Sequence, residues 1–320
     1  MSPLSVQDRQ VLTSGFLVGL IPIVFYHVSL TIGMYQQHSF LVGYGLGAIP
    51  FLYLWPKVHR MTETRTTLMW LLFIAFATRL ILLTVPPLLS EDLWRYIWDG
   101  MIQWSGNNPY TYAPLDAKLD AFNSAYQMGN VRRQIGHGHI ATIYPPAGQI
   151  TFALATVLGP SQWVMRCVMI FADLTVVAVL WRWAQDQGKP AGIAALYAFL
   201  PLCVYESSVG GHLDSIGVAF LVTGMYAVSR KRYLSGVVGV VLAVGSKIVP
   251  IALLAYYLRR NGRFFLLLLV GLVAFICVSV AWYETYPRGL VAFAHRWRGN
   301  DSFFAVIYHL IQNSFTDVNE

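Results

Sequence analysis

Charge is scarce in this chain. Asp, Glu, Lys and Arg make up 12% of its 320 residues, against roughly 25% in an average soluble domain, and that shortage excludes a soluble globular protein. Cysteine is scarcer: Cys167, Cys203 and Cys277 all fall inside apolar runs, so neither a disulfide framework nor a zinc-thiolate site is on offer. A basic leader and a small-residue cleavage site are also missing ahead of the first apolar run near Val11, which therefore reads as a retained span and not a removed signal peptide. What is present is apolar. Hydrophobic residues supply 56% of the chain. They recur in runs of about 20, each long enough at about 1.5 Å per residue to cross a hydrocarbon core of about 30 Å. The composition predicts an all-α polytopic membrane protein surrounded by membrane lipids. The net charge of +7 points to no nucleic-acid partner, because the basic residues lie in short loops and form no patch.

Spans are expected at 11–34, 39–55, 66–87, 163–181, 190–205, 213–229 and 264–284, with a broken segment at 233–258. Short basic connectors separate them: Lys57/Arg60/Arg65, Arg182/Lys189, Arg230-Lys231-Arg232 and Arg259/Arg260/Arg263. The positive-inside rule assigns these to the cytoplasm together with the N-terminus and Arg9. The long segment 88–162 is then outside. Pro146 to Leu158 has only 13 residues, about 20 Å as a helix, too short to cross, and reads as a juxtamembrane or re-entrant helix. The segment 233–258 reads as a hairpin. One straight span there would strand a basic connector on the wrong side, and Gly245-Ser246-Lys247-Ile248-Val249-Pro250 supplies the break. Arg79 and Asp173 fall within spans, where charge is costly, so they are expected to pair.

After the third span comes Ser90-Glu91-Asp92-Leu93-Trp94-Arg95-Tyr96-Ile97-Trp98-Asp99-Gly100. At about 100° per residue, Glu91, Asp92, Arg95, Tyr96, Asp99 and Gln103 share one helix face, while Leu93, Trp94, Ile97, Trp98, Met101 and Trp104 share the other. This predicts an interfacial amphipathic helix with tryptophans at headgroup depth and carboxylates turned to a cavity. A plainer reading makes Ser90 a cap and the acids partners of the helix dipole, but it does not require Arg95 and Asp99 on the same face.

An acidic pair opening an outer loop, then Arg-Tyr-x-Trp-Asp-Gly, then Gly106-Asn107-Asn108-Pro109-Tyr110, then Thr142-Ile143-Tyr144-Pro145-Pro146, resembles the GT-C membrane glycosyltransferases that use polyprenyl-phosphate sugars. Among them the chain is most similar to the lipomannan-type α-mannosyltransferases. Gly211-His212-Leu213-Asp214, Gly245-Ser246-Lys247 and Arg296-Trp297-Arg298-Gly299-Asn300-Asp301 follow in the same order. The resemblance implies two additional N-terminal helices at 1–65, a GT-C module at 66–302 with its catalytic loop at 88–162, and an outer amphipathic tail at 303–320. Relatives usually continue with further spans, so this chain is either a short member or lacks C-terminal helices.

The activity implied is inverting, metal-independent transfer of a hexose, mannose by resemblance, from a polyprenyl-phosphate donor to a glycan or lipid acceptor. It is expected on the outer face of a bacterial cytoplasmic membrane or the lumenal face of its eukaryotic equivalent. The donor is itself the substrate, so no cofactor is called for. Such a reaction needs a carboxylate to take the acceptor proton and cations for the departing phosphate. Asp92 is the expected base and Glu91 the alternative. The resemblance places Arg95, Tyr96, Asp99, Asn108, Tyr110, Tyr144, His212, Asp214, Lys247, Arg296 and Arg298 around the substrates. Plainer readings stand beside several of these: an Arg95–Asp99 ion pair, Asp214 as a helix cap, Lys247 as an interfacial lysine, and Arg296 and Arg298 at headgroups. His137-Gly138-His139 has ligand-like spacing but no third local ligand, which favours a solvated loop. The rival class is a transporter or lipid flippase. It fits less well, because the acids cluster in one outer loop and the halves show no inverted repeat.

Overall fold

A computed structural model describes residues 3–284, 286–296 and 307. All regular structure among them is helical. The chain enters α1 (Val6–Ile32) through a capping box in which Ser5 and Asp8 each accept the other's N–H, and Gly33 closes the far end in the left-handed region. α2 (Gln36–Leu54) and α3 (Arg65–Leu82) pack against it. The segment that follows holds α4 (Asp92–Trp104), the short α5 (Asp120–Ala125) and α6 (Gly129–Arg133), and α7 (Pro146–Leu158). Next come α8 (Gln162–Asp186), α9 (Ala194–Ala198), α10 (Pro201–Tyr205) with a wider turn over Glu206–Gly210, α11 (Asp214–Ser229) and α12 (Tyr233–Ser246). The described chain closes with α13 (Leu253–Arg260), α14 (Gly262–Tyr283) and α15 (Arg288–Arg296).

Among the described residues five helical stretches are long and apolar enough to cross a membrane: Val6–Ile32, Gln36–Arg60, Arg65–Leu82, Gln162–Asp186 and Gly262–Tyr283. The protein is an integral membrane protein. The span expected at 190–205 is bent by 58° between Ala191–Ala198 and Pro201–Gly210, because Pro201 has no N–H to continue the ladder. α3 stops at Leu82, short of the expected residue 87, as the chain turns into Pro86 and Pro87. α11 has 16 residues, about 24 Å, and falls short of a full crossing by itself.

Side-chain contacts sort the two ends of the bundle. Thr62 donates to Asp8, the Ala191 N–H donates to Glu63, and Tyr226 and Arg230 both donate to Asp186. Phe264 packs on both Tyr233 and Tyr257. The N-terminus and the basic connectors therefore gather at one end, as the charge pattern expects. The hairpin read into 233–258 is present: α12 runs to Ser246, Lys247 is extended, a tight turn covers Val249–Ala252, and α13 returns.

Two buried clusters hold the site's frame. One joins α1, α2, α3, α8 and α9. Within it the fully buried Arg79 and Asp173 pair at 2.5 Å, with the Ser207 hydroxyl also accepting from Arg79 and the Tyr197 hydroxyl donating to Asp173. The second cluster surrounds α4 and overturns the expectation of an interfacial helix. Trp98 is 1% exposed and packs edge-on against Phe122 of α5, with Leu119 and Met128 beside it. Residues 117–131 cover the face expected at headgroup depth, so α4 is enclosed by protein on both sides. Only Trp104 retains a large exposed surface.

Candidate active site

A cavity of about 460 Å³ opens at the end of the bundle opposite the basic connectors. Glu91, Asp92 and Arg95 line it from the start of α4, Tyr144 from the loop before α7, Lys247 from the break after α12, and Leu290 and Phe293 from α15. The carboxylates come first in α4 because the chain turns there: the Ser90 hydroxyl accepts the Asp92 N–H at 3.2 Å. Ser90 is therefore one residue outside the position of a helix cap, and Glu91 occupies that position without a side-chain cap bond. The backbone at Gly136 comes close to the Glu91 carboxylate; a Cβ there would lie 2.7 Å from Glu91 Oε2.

Arg95 is built into the protein and still faces the cavity. Its Nε donates to Asp99 Oδ1 at 3.0 Å and its Nη2 to the Ile140 carbonyl at 3.0 Å. Asp99, 1% exposed, also accepts from Thr142 Oγ1 and from Gln149 Nε2. It does not line the cavity, and its carboxylate holds Arg95 and the 142–149 segment in register. Tyr110 is buried and donates to the Tyr144 carbonyl at 2.6 Å. Asn108 donates to the Tyr283 carbonyl at 3.1 Å, tying the loop to the end of α14. These three are brought close to the site but stand behind its wall.

Tyr96 and Tyr144 pack edge to face, with Phe152 stacked on Tyr96. Burial pushes both phenols well above their ordinary range, and the Asp92 charge adds to it, so both remain neutral hydroxyls. Tyr144 lines the cavity, whereas Tyr96 reaches the Leu213 N–H at 3.4 Å. His137 lies at the cavity rim, its ring edge-on to Phe293 and near His139. Among the described residues no three His, Cys, Asp or Glu side chains converge as metal ligands.

The turn between α10 and α11 supplies the next wall. Gly211 takes φ of 62°, and a Cβ there would lie 2.8 Å from both Leu93 and Arg166. That close approach sets His212 beside α4, with Nε2 at 3.7 Å from Asp92 Oδ2. On its other side His212 Nδ1 contacts Glu206 Oε2, and the His212 N–H donates to the Glu206 carbonyl at 2.9 Å. Burial pushes the imidazole pKa down, but the hydrogen bond and charge of Glu206, with Asp92 and Asp214, outweigh it and leave the pKa raised. Asp214 opens α11 without capping it; its Oδ2 lies 2.8 Å from Lys247 Nζ. Glu206 was missed in the sequence. Its only signal was an acid just beyond an expected span, six positions before a histidine.

The described backbone reaches Arg296 at the end of α15. Arg298 and nearly all of the tail at 303–320 lie outside the described residues, as does the Arg296 side chain.

Comparison with curated proteins and with solved structures gives no match. The family profile described as alpha-(1->6)-mannopyranosyltransferase, N-terminal domain, matches residues 11–260. That range takes in most of α1, all of α2, the acidic pair, the Glu206–His212 turn and Lys247, so this membrane protein belongs to the alpha-(1->6)-mannopyranosyltransferase family of glycosyltransferases.

Proposed function

We propose that the protein transfers mannose from a polyprenyl-phosphate donor to a glycan or lipid acceptor, with inversion at the anomeric carbon, on the outer face of the cytoplasmic membrane. The observation that carries this reading is the shared cavity, in which the Glu91–Asp92 pair and Lys247 line the same space. Asp92, half exposed to that space, takes the acceptor proton. The acceptor oxygen attacks the anomeric carbon, and the electron pair of the breaking bond leaves on the phosphate. Lys247 and Arg95 face the charge that grows there, where fixed cations lower the barrier most. Ile140, Ile143, Ile248, Leu290 and Phe293 give the cavity apolar walls, suited to the first isoprene units of a lipid donor.

The acceptor approaches from the other side of the same carboxylates. A polar cleft of about 840 Å³ shares Glu91, Asp92, Gly136 and His137 with the donor cavity and adds Gln37, Trp94, Arg133 and Gln134. Amide, guanidinium and indole groups suit the hydroxyls and apolar faces of sugar rings. The outer orientation rests on the basic connectors lying at the opposite end of the bundle.

The test is transfer by the purified protein in nanodiscs, offered radiolabelled mannose on a polyprenyl monophosphate or on a nucleoside diphosphate. Transfer from the polyprenyl donor alone is expected. Transfer from the nucleotide sugar alone would overturn the donor assignment.

A further inference from the structure

His212 makes contacts that a substrate-binding histidine does not need. One ring nitrogen faces the carboxylate of Asp92 at 3.7 Å, and the other is held by a second carboxylate, Glu206. Glu206 does not line the donor cavity. It sits in the wide turn after α10, where its own carbonyl also accepts the His212 N–H. The chain therefore grips His212 by ring and backbone from one residue. The grip fixes the tautomer: a carboxylate on Nδ1 takes the N–H there and leaves the Nε2 lone pair toward Asp92.

We infer that Glu206 and His212 form a proton relay behind Asp92, with Glu206 as the positioning residue. This rests on Asp92 being the base. When the acceptor oxygen bonds to the anomeric carbon and the phosphate departs with the electron pair, the acceptor proton moves to Asp92. Asp92 then passes it to His212 Nε2, and the imidazolium formed is stabilised by the Glu206 carboxylate held against Nδ1. The proton leaves His212 to solvent, since the ring is 20% exposed and Asp92 46%. A rotation of the exposed Asp92 side chain closes the 3.7 Å separation to hydrogen-bond length, as sites often tighten on binding substrate. The same division of labour, in which a carboxylate orients an imidazole and stabilises its cation, recurs in hydrolase triads.

The charges around His212 favour this order. Glu206 faces it from the turn after α10, Asp92 from α4 and Asp214 from α11. Lys247 from the break after α12 offsets Asp214, and the stem of Arg166 from α8 packs on Gly211. The balance makes His212 a stronger proton acceptor than a free imidazole.

The relay needs His212 neutral at the start of each turnover, so the rate rises with pH through the His212 pKa. That pKa lies above the ordinary 6.5 because Glu206 overrides burial. Glu206→Gln removes the charge while keeping the size. The full chain in nanodiscs is assayed with polyprenyl-phosphate mannose across pH, and the His212 titration is followed by NMR on carbon-13-labelled histidine, assigned with His212→Gln. In Glu206→Gln the turnover is expected to fall roughly 10-fold or more, with donor KM unchanged. The acid limb and the NMR titration are expected to move together to lower pH, and Glu206→Asp to recover part of the rate. A rate loss without movement of the limb marks a structural role and overturns the relay, as does a shifted titration with normal turnover. If the wild type transfers nothing from the polyprenyl donor, the proposed function fails and the relay with it. An active wild type with an unmoved limb in Glu206→Gln overturns the relay alone.

Discussion

Lys247 Nζ stands 2.8 Å from Asp214 Oδ2; both side chains are half exposed, and Lys247 lines the donor cavity. The carboxylate occupies the ammonium in a way that a donor phosphate can replace, so the pair forms a preset cation with a weak internal competitor. Charge-assisted bonds of this kind contribute about 1.5–3 kcal/mol. Lys247→Ala is therefore expected to weaken donor binding by roughly 10- to 100-fold and to slow turnover as well. Asp214→Asn is expected to tighten donor binding. Donor titration by fluorescence or calorimetry checks both, and unchanged affinity in both variants would return Lys247 to the role of an interfacial lysine.

Asp92→Asn keeps the size and helix polarity of the side chain but cannot accept a proton. Transfer is expected to fall by about 10² or more, with donor affinity retained. Glu91→Gln is expected to cost less, because it is the Asp92 carboxylate that lies 3.7 Å from His212 Nε2, while Glu91 sits beside Gly136. Loss in Glu91→Gln with near-normal transfer in Asp92→Asn would exchange their roles.

The Arg79–Asp173 pair is sealed from solvent and linked to Ser207, one residue past Glu206. Removing one partner strands the other charge, at a cost of about 3–5 kcal/mol. Asp173→Ala is expected to lower the detergent melting temperature sharply, and the apolar double variant Arg79→Met with Asp173→Leu to recover most of it. A melting temperature unmoved by Asp173→Ala would rule out the buried ion pair.

That pair was legible because charge deep inside a span must find a partner, and Arg79 and Asp173 both stand well inside expected spans. The hairpin at Lys247 was legible for a related reason: basic connectors cannot lie on both sides. What the sequence concealed depends on contacts between distant segments. Asp99 shares a helical face with Asp92, yet Thr142 and Gln149 close over it, and nothing at positions 99–104 announces that. Trp98 carries the composition of an interfacial residue until Phe122 covers it. Glu206 meets His212 only because a wide turn and a left-handed Gly211 fold the chain back on itself.

The proposed orientation has a direct chemical check. Ser161 caps the start of α8 and Gln185 lies in its last turn, so the helix separates them by its full length. Cysteines at these positions, in a background without Cys167, Cys203 and Cys277, are expected to react with an impermeant thiol reagent from opposite sides, Ser161→Cys from outside. Labelling of both from one side would mean that α8 does not cross, and labelling of Gln185→Cys from outside would invert the topology.

The acceptor cleft separates affinity from chemistry. Arg133 and Gln134 are exposed at the cleft and do not line the donor cavity. Arg133 is exposed and donates to Asn130 of its own turn, so truncating it removes little packing. Surface changes of this kind usually alter stability by less than about 0.5 kcal/mol. Arg133→Ala and Gln134→Ala are therefore expected to fold normally and to leave donor affinity unchanged. Each is expected to raise the acceptor KM several-fold, in line with a lost hydrogen bond of about 1 kcal/mol. Gln37→Ala is a harder case, because Gln37 also donates to the Leu88 carbonyl at 2.7 Å and steadies the approach to Glu91. It is expected to raise the acceptor KM and lower turnover together. If instead Arg133→Ala weakens donor binding and spares the acceptor KM, the two substrates enter from the opposite sides, and the apolar cavity beside Lys247 must receive the acceptor.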